Sequence, residues 1–390
     1  LIALQALAAF HRQRMVCPVI AITGSNGKTI VKEWLNHCLS DLFVITRSPK
    51  SYNSQVGVPL SLWLMDENTR LGIFEAGISQ PGEMDLQQQM IRPDIGLITN
   101  VGEAHQENFS SLEEKVQEKI RLFRGCKQIV YCSDQELTAR CILEDASLSG
   151  AEKFTWSMHG KGSVAISDVE KQDGQTRFRA TCGSLVLDLT IPFTDPASLE
   201  NALHCLNLLL LLDTPAGFIQ TGLATLPPVA MRLEQKSAIN GCTLINDSYN
   251  SDVNSLSIAL DLLARQVQHP KTTLILSDIL QSGQAETLLY SHVAALLEAR
   301  GISRLIGIGP ALSASASLFH LPAVFYPDTE AFLAGFDERE FINEAILLKG
   351  SRQFAFERIA ALLEQKKHTT RIEVNLSALV HNLNTFRSLL

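Results

Sequence analysis

The sequence of 390 residues lacks any extended run of basic residues. Lys and Arg number 33 against 41 Asp and Glu, so the formal net charge is −8. An acidic chain without a basic run is a poor binder of nucleic acid backbones or anionic membranes by general electrostatics, which excludes those partners from the expected function. One local cationic site for a phosphate stays compatible with this composition.

Long apolar stretches and cysteine pairs are also missing. Apolar runs such as Leu208 to Leu212 are far shorter than the roughly 20 residues that span a bilayer. The apolar start, residues 1–10, precedes its basic residues, which is the wrong order for a signal peptide. No C-x-x-C pair occurs, which favours buried free thiols in a reducing compartment over disulfides or a zinc site. The cysteines are Cys17, Cys38, Cys126, Cys132, Cys141, Cys182, Cys205 and Cys242.

Short β-branched runs alternate with helical patterns from residue 1 to about 145. The strand-like segments are 16–22, 71–74, 95–98 and 128–131, and the helical patterns begin at Lys28, after Pro81, at Ser110 and at Gln135. This alternation predicts βαβ units and a mostly parallel sheet covered on both faces. Residues 152–192 instead alternate in period two around Gly turns, which predicts a small antiparallel sheet on the same domain.

A second βα series follows an apolar helix predicted at 197–212 and the dipeptide Pro227-Pro228, a candidate hinge. Its strand-like segments are 243–245, 272–276, 304–306, 323–325 and 345–348. The predicted fold class is therefore α/β, with a P-loop ATP-binding domain over 1–230 and a Rossmann-like domain over 231–367.

The strongest local signal is a strand that runs into a Gly-containing loop and then a helix, at Ile20 to Thr29. Such a loop directs backbone N–H groups and the positive end of a helix toward one point, where a polyphosphate can bind. Lys28 would neutralise its outer charge and Thr29 would ligate Mg²⁺. The first Gly of the usual G-x-x-x-x-G-K-[ST] pattern is replaced by Ile22.

Two neighbouring strand ends carry candidate metal ligands. The strand at 71–74 ends in Glu75, and the strand at 95–98 is followed by His105. Because ligands gather at the carboxyl ends of parallel strands, Lys28, Glu75 and His105 are expected to converge. Lys119, on the following amphipathic helix, is by itself typical of a solvated surface lysine.

These segments resemble the Mur ligases. Residues 23–29 (T-G-S-N-G-K-T) are similar to that family's phosphate loop, T-G-x-N-G-K-[TS]. Residues 53–59 (N-S-Q-V-G-V-P), 75–83 (E-A-G-I-S-Q-P-G-E) and 100–111 (N-V-G-E-A-H-Q-E-N-F-S-S) resemble three further motifs in the same order. The lysine that these ligases carry as a carbamate follows the motif's histidine by fourteen residues, which is the position of Lys119.

The second half resembles one branch of that family, which adds D-alanyl-D-alanine to UDP-N-acetylmuramoyl-tripeptide. Residues 246–250 (N-D-S-Y-N) and 349–352 (K-G-S-R) carry this resemblance. Two departures occur: the helix motif H-N-x-x-N-A keeps only its final Asn201-Ala202, and Ser-Asp-Val at 251–253 stands where the branch has Ala-Asn-Pro.

The resemblance implies an ADP-forming ligase in peptidoglycan precursor synthesis. ATP would phosphorylate the tripeptide carboxylate, and the amine of D-alanyl-D-alanine would attack the acyl phosphate. It implies Lys28, His105 and Lys119 as catalytic residues. Two Mg²⁺ ions are implied, with Thr29, Glu75, His105 and carbamylated Lys119 as ligands.

The resemblance also implies the binding residues. ATP would contact Gly24, Ser25, Asn26, Gly27, Lys28 and Thr29, with Asn201 at the adenine, Arg232 at the phosphates and Asp247 at the ribose. The peptide substrates would contact Asn53, Tyr249, Asn250, Lys349 and Arg352.

The last stretch, 368–390, is expected to belong to another enzyme, because residues 370–387 resemble the opening strand and helix of alanine racemase. A racemase behind such a ligase is chemically coherent, since it supplies the precursor of D-alanyl-D-alanine. We therefore expect a bacterial cytoplasmic parent chain with a UDP-binding domain ahead of residue 1. This piece is then expected to bind ATP, whereas ligation is expected to need that preceding domain. Pyridoxal phosphate would bind only in the racemase portion, which is expected to dimerise, whereas the ligase is expected to be monomeric.

Two alternatives stay open from the sequence. One is another ligase of the same superfamily, such as folylpolyglutamate synthetase. The other is a nucleotide-binding module without ligase chemistry.

Overall fold

Two β-sheets organise the described part of the chain, and helices pack on both faces of their parallel parts. The computed structural model describes residues 1–102, 108–160, 162–229, 233–248, 251–264, 266, 268–280, 282–365 and 376–389. None of the helices in these ranges has both the length and the apolar character that crossing a membrane requires.

The first sheet has nine strands in the order β2-β3-β1-β4-β5-β6-β7-β8-β9. All neighbouring pairs from β2 to β7 are parallel, and the two pairs among β7, β8 and β9 are antiparallel. The strands are β1 Val19–Thr23, β2 Ile45–Arg47, β3 Leu71–Glu75, β4 Ile95–Ile98, β5 Gln128–Cys132, β6 Glu152–Ser157, β7 Val164–Gln172, β8 Gln175–Cys182 and β9 Leu185–Ile191.

Among the described residues, eight α-helices accompany this sheet. They are α1 Ile2–Gln13, α2 Lys28–Leu39, α3 Gly57–Leu62, α4 Glu83–Ile91, α5 Leu112–Ile120, α6 Glu136–Glu144, α7 Pro196–Leu211 and α8 Ala216–Ala224. Because side chains alternate along a strand, Ile20 and Ile22 of β1 join the core beneath α2, α7 and α8, whereas Val19 and Ala21 join the core on the opposite face. Burial on both faces explains why β1, β3 and β4 are apolar throughout most of their length.

The second sheet has six strands in the order β10-β11-β15-β12-β13-β14, all parallel except the β10–β11 pair. The strands are β10 Glu234–Ser237, β11 Thr243–Asp247, β12 Lys271–Ser277, β13 Arg304–Ile308, β14 Ala323–Tyr326 and β15 Glu344–Lys349. The helices are α9 Val253–Ala264, α10 Glu286–Ala299, α11 Pro310–Ala314, α12 Thr329–Ala334 and α13 Glu357–Leu363, followed by α14 Leu376–Leu389.

The predicted α/β architecture is confirmed, with refinements. The antiparallel segment is present, and β6–β7 pairing joins it to the parallel strands in one continuous sheet. Strands β2 and β10 were not predicted: β2 has only three residues, and β10 (Glu-Gln-Lys-Ser) is polar because it lies at a sheet edge. The two sheets lie on either side of Pro227-Pro228. The boundaries 1–230, 231–367 and 368–390 stay a prediction.

Strand ends position the functional residues. Parallel pairing of β1 with β3 and β4 places the ends of these three strands, at Thr23, Glu75 and Ile98, along the same edge of the first sheet. In the second sheet, Asp247 at the end of β11 is the register partner of Lys349 at the end of β15. The loops after these strands therefore face a common cleft.

Candidate functional site

The phosphate loop connects β1 to α2 and depends on two glycines. Gly24 has φ 138° and Gly27 has φ 86°, and Gly27 is the N-cap of α2. A Cβ atom at Gly24 would lie 1.9 Å from Thr99 Oγ1, and one at Gly27 would lie 2.2 Å from Asn201 Oδ1. Backbone conformation and close packing therefore both require glycine at these positions. The loop leaves the N-terminus of α2 directed at the cleft, as a phosphate site needs.

Residues after β4 hold this loop in place. Asn100 accepts hydrogen bonds from the Ser25 N–H through its backbone oxygen (2.7 Å) and from the Asn26 N–H through Oδ1 (3.3 Å). Thr99 Oγ1 donates to the Asn26 carbonyl at 2.6 Å. Hydrogen bonds within the protein thus fix the conformation of the phosphate loop.

A second contact fixes the Asn100 side chain, which hydrogen-bonds the Glu200 carboxylate; burial raises the pKa of Glu200. Gln135 Nε2 donates to the same carboxylate at 2.8 Å. Neither Asn100 nor Glu200 was singled out from the sequence, and no local signal marks Glu200 beyond its position next to Asn201.

Lys28 lies at the start of α2 and lines the cleft, as predicted. Its Nζ donates to the carbonyl oxygens of Gly24 (2.8 Å) and Ser25 (3.0 Å). The ammonium group is therefore held over the loop, at the place where the outer charge of a polyphosphate would come.

Glu75, the predicted metal ligand, is fully buried behind the loop. Its Oε2 accepts hydrogen bonds from Thr29 Oγ1 at 3.1 Å and from Asn53 Nδ2 at 3.4 Å, and Thr29 Oγ1 lies 3.1 Å from Ser51 Oγ. Thr29, Ser51 and Asn53 line the cleft, so the carboxylate meets the cleft through these side chains. The structure thus brings together Thr29, Glu75 and Asn53 from three separate motifs.

Lys32, one turn after Lys28, was missed by the sequence reasoning. Its Nζ lies 2.9 Å from Glu75 Oε1, and both side chains are fully buried. The available signal was helical spacing, because a residue four positions after a phosphate-loop lysine lies on the same helix face.

Lys119 is buried, in contrast to the solvated lysine that its local sequence suggests. It is 3% exposed, and its Nζ donates to the Gly24 carbonyl at 3.1 Å. Burial lowers the pKa of Lys119 well below its usual value, and the nearby ammonium groups of Lys28 and Lys115 lower it further. Both effects disfavour the protonated ammonium form of Lys119 relative to an exposed lysine.

Lys119 is buried because α5 packs its charged face inward. Lys115, one turn earlier, is also buried and donates to the Gly102 carbonyl. Glu118 accepts from the N–H groups of Gly82 (2.8 Å) and Met84 (3.1 Å), and so caps the start of α4. The burial of this face could not be predicted from the helix pattern, which is amphipathic in the usual sense.

The chain built around the nine-stranded sheet is the first region, and its phosphate loop forms one wall of the cleft. The chain built around the six-stranded sheet is the second region, and it supplies the opposite wall. Lys349 Nζ donates to Asp247 Oδ2 at 2.6 Å, with the two side chains 1% and 9% exposed. Arg352 follows the same strand and lines the cleft. This pair forms directly from the strand register described above.

A cavity of about 500 Å³ joins the two walls. Of the predicted site residues, those that line it are Gly24, Ser25, Asn26, Gly27, Lys28, Thr29, Asn53, Lys119, Asn201, Asp247, Lys349 and Arg352. A neighbouring cavity of about 420 Å³ shares Ile30, Ala197, Asn201 and Leu233 with it and is walled by Trp34, Phe193 and Leu262, among others. Its apolar, aromatic walls suit a planar base.

Four predicted site residues, His105, Arg232, Tyr249 and Asn250, lie outside the described residues. Within the described part of the chain, no group of three or more His, Cys, Asp or Glu side chains could hold a metal ion. Oxygen atoms at the loop that could ligate a metal ion belong to the hydroxyls of Thr29 and Ser51 and to the carboxylate of Glu75.

Comparison with known proteins agrees with this geometry. Residues 22–209 match the Mur ligase middle domain. The UDP-N-acetylmuramoyl-tripeptide–D-alanyl-D-alanine ligase of Bacillus subtilis (strain 168) is 28% identical over 367 residues, covering 92% of this chain and 78% of the relative.

Solved structures share the fold. MurF from Acinetobacter baumannii has a TM-score of 0.81 at 22% identity, covering 93% of this chain and 80% of that chain. MurF ligase from Thermotoga maritima, solved in complex with ADP, has a TM-score of 0.77 at 19% identity, covering 93% and 82%. The chain therefore has the α/β fold of these ligases.

Proposed function

We propose that this chain is an ATP-dependent, ADP-forming ligase that adds D-alanyl-D-alanine to UDP-N-acetylmuramoyl-tripeptide in peptidoglycan precursor synthesis. The observation that carries the proposal is the single cavity in which the phosphate loop and Lys119 of the first region face Lys349 and Arg352 of the second. The printed name of the Bacillus subtilis relative supports the choice of substrates.

ATP binds with its phosphates at the loop and its base in the neighbouring apolar cavity. The N–H groups at the start of α2 and the Lys28 ammonium hold the phosphates. Asn201 lines both cavities and Asp247 lines the first, which supports the proposal that Asn201 faces the adenine and Asp247 the ribose. Arg232 at the phosphates stays part of the proposal from the sequence resemblance alone.

The oxygen donors at the loop fit Mg²⁺. This ion prefers oxygen ligands and is commonly held by one or two carboxylates together with substrate phosphates. Thr29 and Glu75 would hold one ion, and His105 with carbamylated Lys119 would hold a second. Bound Mg²⁺ would neutralise the charge that develops on the transferred phosphoryl group.

The protein's own residues then bring two anions together. The tripeptide carboxylate must approach the terminal phosphate of ATP, and the positive charge of Lys28 lowers the repulsion between them. The carboxylate oxygen bonds to phosphorus as ADP leaves. The amine of D-alanyl-D-alanine attacks the acyl carbon, loses a proton and expels phosphate. Lys349 and Arg352, with Asn53, Tyr249 and Asn250, are proposed to hold the peptide substrates.

Carbamylation of Lys119 follows from its environment. A buried amine with a lowered pKa has its lone pair free to attack the carbon of CO₂, forming the N–C bond and releasing one proton. The cation thereby becomes a carboxylate-like anion, which reconciles a lysine with a metal site.

We also propose that residues 370–387 derive from an alanine racemase, which would supply a precursor of D-alanyl-D-alanine. The strand of that resemblance lies outside the described residues, whereas α14 occupies the position of its helix. The ligase is proposed to act as a monomer in the bacterial cytoplasm.

The test is ADP release by the full-length protein, with UDP-N-acetylmuramoyl-tripeptide and D-alanyl-D-alanine each omitted in turn. We expect multiple-turnover ADP formation only when both are present, with the dipeptide-extended product seen by mass spectrometry. ATP turnover indifferent to both would refute the proposal. Turnover with a reduced folate and glutamate instead would support the folylpolyglutamate synthetase alternative, and ADP binding without turnover would support a binding module.

A further inference from the structure

Lys32 is a buried cation for which the mechanism above has no role. It lies on α2, and its side chain is fully buried. Lysine is rarely buried completely, because the ammonium group loses its hydration and must find oxygen atoms that replace water. Such a position therefore calls for an explanation in terms of what the ammonium group holds.

Oxygen atoms from three separate segments surround the Lys32 ammonium. Glu75 Oε1 at the end of β3 lies 2.9 Å from Nζ, and Glu33 Oε1 of α2 lies 3.0 Å away. Nζ also donates to the carbonyl oxygens of Ser48 (2.7 Å) and Lys50, in the turn that follows β2. The ammonium thus ties together α2, β3 and the turn at 48–51.

This arrangement orients Glu75. One carboxylate oxygen, Oε1, is engaged by Lys32, so the other, Oε2, points at Thr29 and Asn53. The same turn carries Ser51, whose hydroxyl contacts Thr29, and Ser48, whose Oγ accepts from the Glu75 N–H at 3.1 Å.

We propose that Lys32 is a positioning residue of this ligase: it keeps Glu75 turned so that Oε2, with the Thr29 and Ser51 hydroxyls, forms an oxygen set for the Mg²⁺ that accompanies the nucleotide. The inference rests on the proposed function, because it presupposes a Mg²⁺-nucleotide site. Lys32 itself contacts neither nucleotide nor metal and acts through Glu75.

The test is calorimetric ADP binding at a series of Mg²⁺ concentrations. For Lys32→Met we expect the Mg²⁺ concentration at half-maximal enhancement of ADP binding to rise roughly tenfold, as befits the loss of one charge-assisted contact. ADP affinity in EDTA should stay within about twofold of the parent chain. A merely structural role would weaken metal-free binding as well, and that result, or an unchanged Mg²⁺ requirement, would overturn the proposal.

Glu33→Gln is the matched control. It removes the partly exposed carboxylate beside Lys32 and leaves the Glu75 contact intact, so the Mg²⁺ requirement should stay within about twofold. A rise as large as that of Lys32→Met would overturn the assignment to Glu75.

A double substitution keeps the test decisive if Lys32→Met fails to fold. In the double variant Lys32→Met, Glu75→Gln, neither member of the buried pair carries a charge. Its Mg²⁺ requirement is compared with that of Glu75→Gln alone. Equal Mg²⁺ requirements for these two variants are expected, since Lys32 acts through the Glu75 charge. A further tenfold rise in the double variant would refute that route. ADP binding does not require amide formation, so a failure here is distinguishable from a failure of the proposed reaction.

Discussion

The two walls of the cleft hold their charges in different ways. In the first region, Lys28 and Lys119 donate to carbonyl oxygens of the phosphate loop, and Lys32 ties Glu75 to two other segments. In the second region, one ion pair, Asp247–Lys349, is formed by adjacent strand ends. The wall proposed to accept a polyphosphate holds Lys28 and Lys119 against backbone oxygens of the loop, whereas the wall proposed to position substrates pairs Lys349 with a carboxylate.

The contrast indicates that the reaction chemistry belongs to the first wall. Of the substitutions considered, Lys119→Ala is therefore expected to lower turnover most strongly. We expect turnover to fall on the order of 10²–10³-fold, because the group proposed to carry the carbamate is lost. Added acetate or formate should restore part of the rate by replacing the carboxylate. ADP release with both substrates measures the effect. Lys127→Ala, at a lysine 79% exposed, should leave the rate unchanged; an equal loss there would contradict the assignment.

The second wall should respond in stability. Lys349→Met removes the buried partner of Asp247, and loss of one partner of a buried pair costs about 3–5 kcal/mol in the free energy of unfolding. Urea unfolding measures this cost. The double variant with Asp247→Asn should recover part of it, since the lone charge is then gone. Arg179→Ala, which removes exposed pairs with Asp168 and Asp188, should leave the unfolding midpoint unchanged. A similar loss at both sites would undo the distinction between paired and exposed charges.

Gly27 and Gly125 have similar backbone φ angles but different surroundings, so their substitution tests how the Asn201 contact shapes the phosphate loop. Gly27→Ala (φ 86°) would place a Cβ 2.2 Å from Asn201 Oδ1 and should weaken ADP binding roughly tenfold. Gly125→Ala (φ 83°) meets no atom within 4 Å, so it should cost only about 1–2 kcal/mol of stability with ADP affinity unchanged. Calorimetric ADP binding separates the two. Equal affinities for both variants would show that the Asn201 contact does not shape the loop.

The last prediction concerns the pH dependence of a buried neutral group in the first region. Trp156 Nε1 donates to His204 Nδ1 at 3.2 Å, and burial lowers the pKa of His204 to about 3. Above pH 6.5, His204 is neutral in both folded and unfolded states and adds no pH dependence. As the pH falls from 6.5 toward 3, only the unfolded state binds this proton, so stability declines by about 1.4 kcal/mol per pH unit.

His204→Gln should remove this part of the slope while keeping an acceptor for Trp156. Urea unfolding at pH 4 to 7 checks it, and an unchanged slope would show that the decline comes from other groups.

Much of the fold was accessible from the sequence. Alternating β-branched and helical segments predicted both α/β regions, and the period-two pattern predicted the antiparallel strands. The short β2 and the polar edge strand β10 were missed, because a strand without an apolar face carries little periodic signal. At the site, Gly24 to Thr29 were predicted together because strand, loop and helix start are contiguous. Glu75 was predicted as a strand end, whereas Asp247 was predicted only from the resemblance of residues 246–250 to a family motif.

Local sequence by itself determined the succession of strand, glycine-containing loop and helix start at residues 20–29, because these features are contiguous. The conformation of the loop also depends on remote residues, since Thr99, Asn100 and Asn201 pack against it. Tertiary structure alone decided which charges are buried and with what. The local sequence of Lys119 is typical of a solvated lysine, but α5 packs its charged face on the loop and buries this side chain. Lys32 contacts Glu75 only because α2, β3 and the turn at 48–51 converge. Burial depends on atoms supplied by remote segments, so a residue's charge environment cannot be read from its own neighbours in the chain.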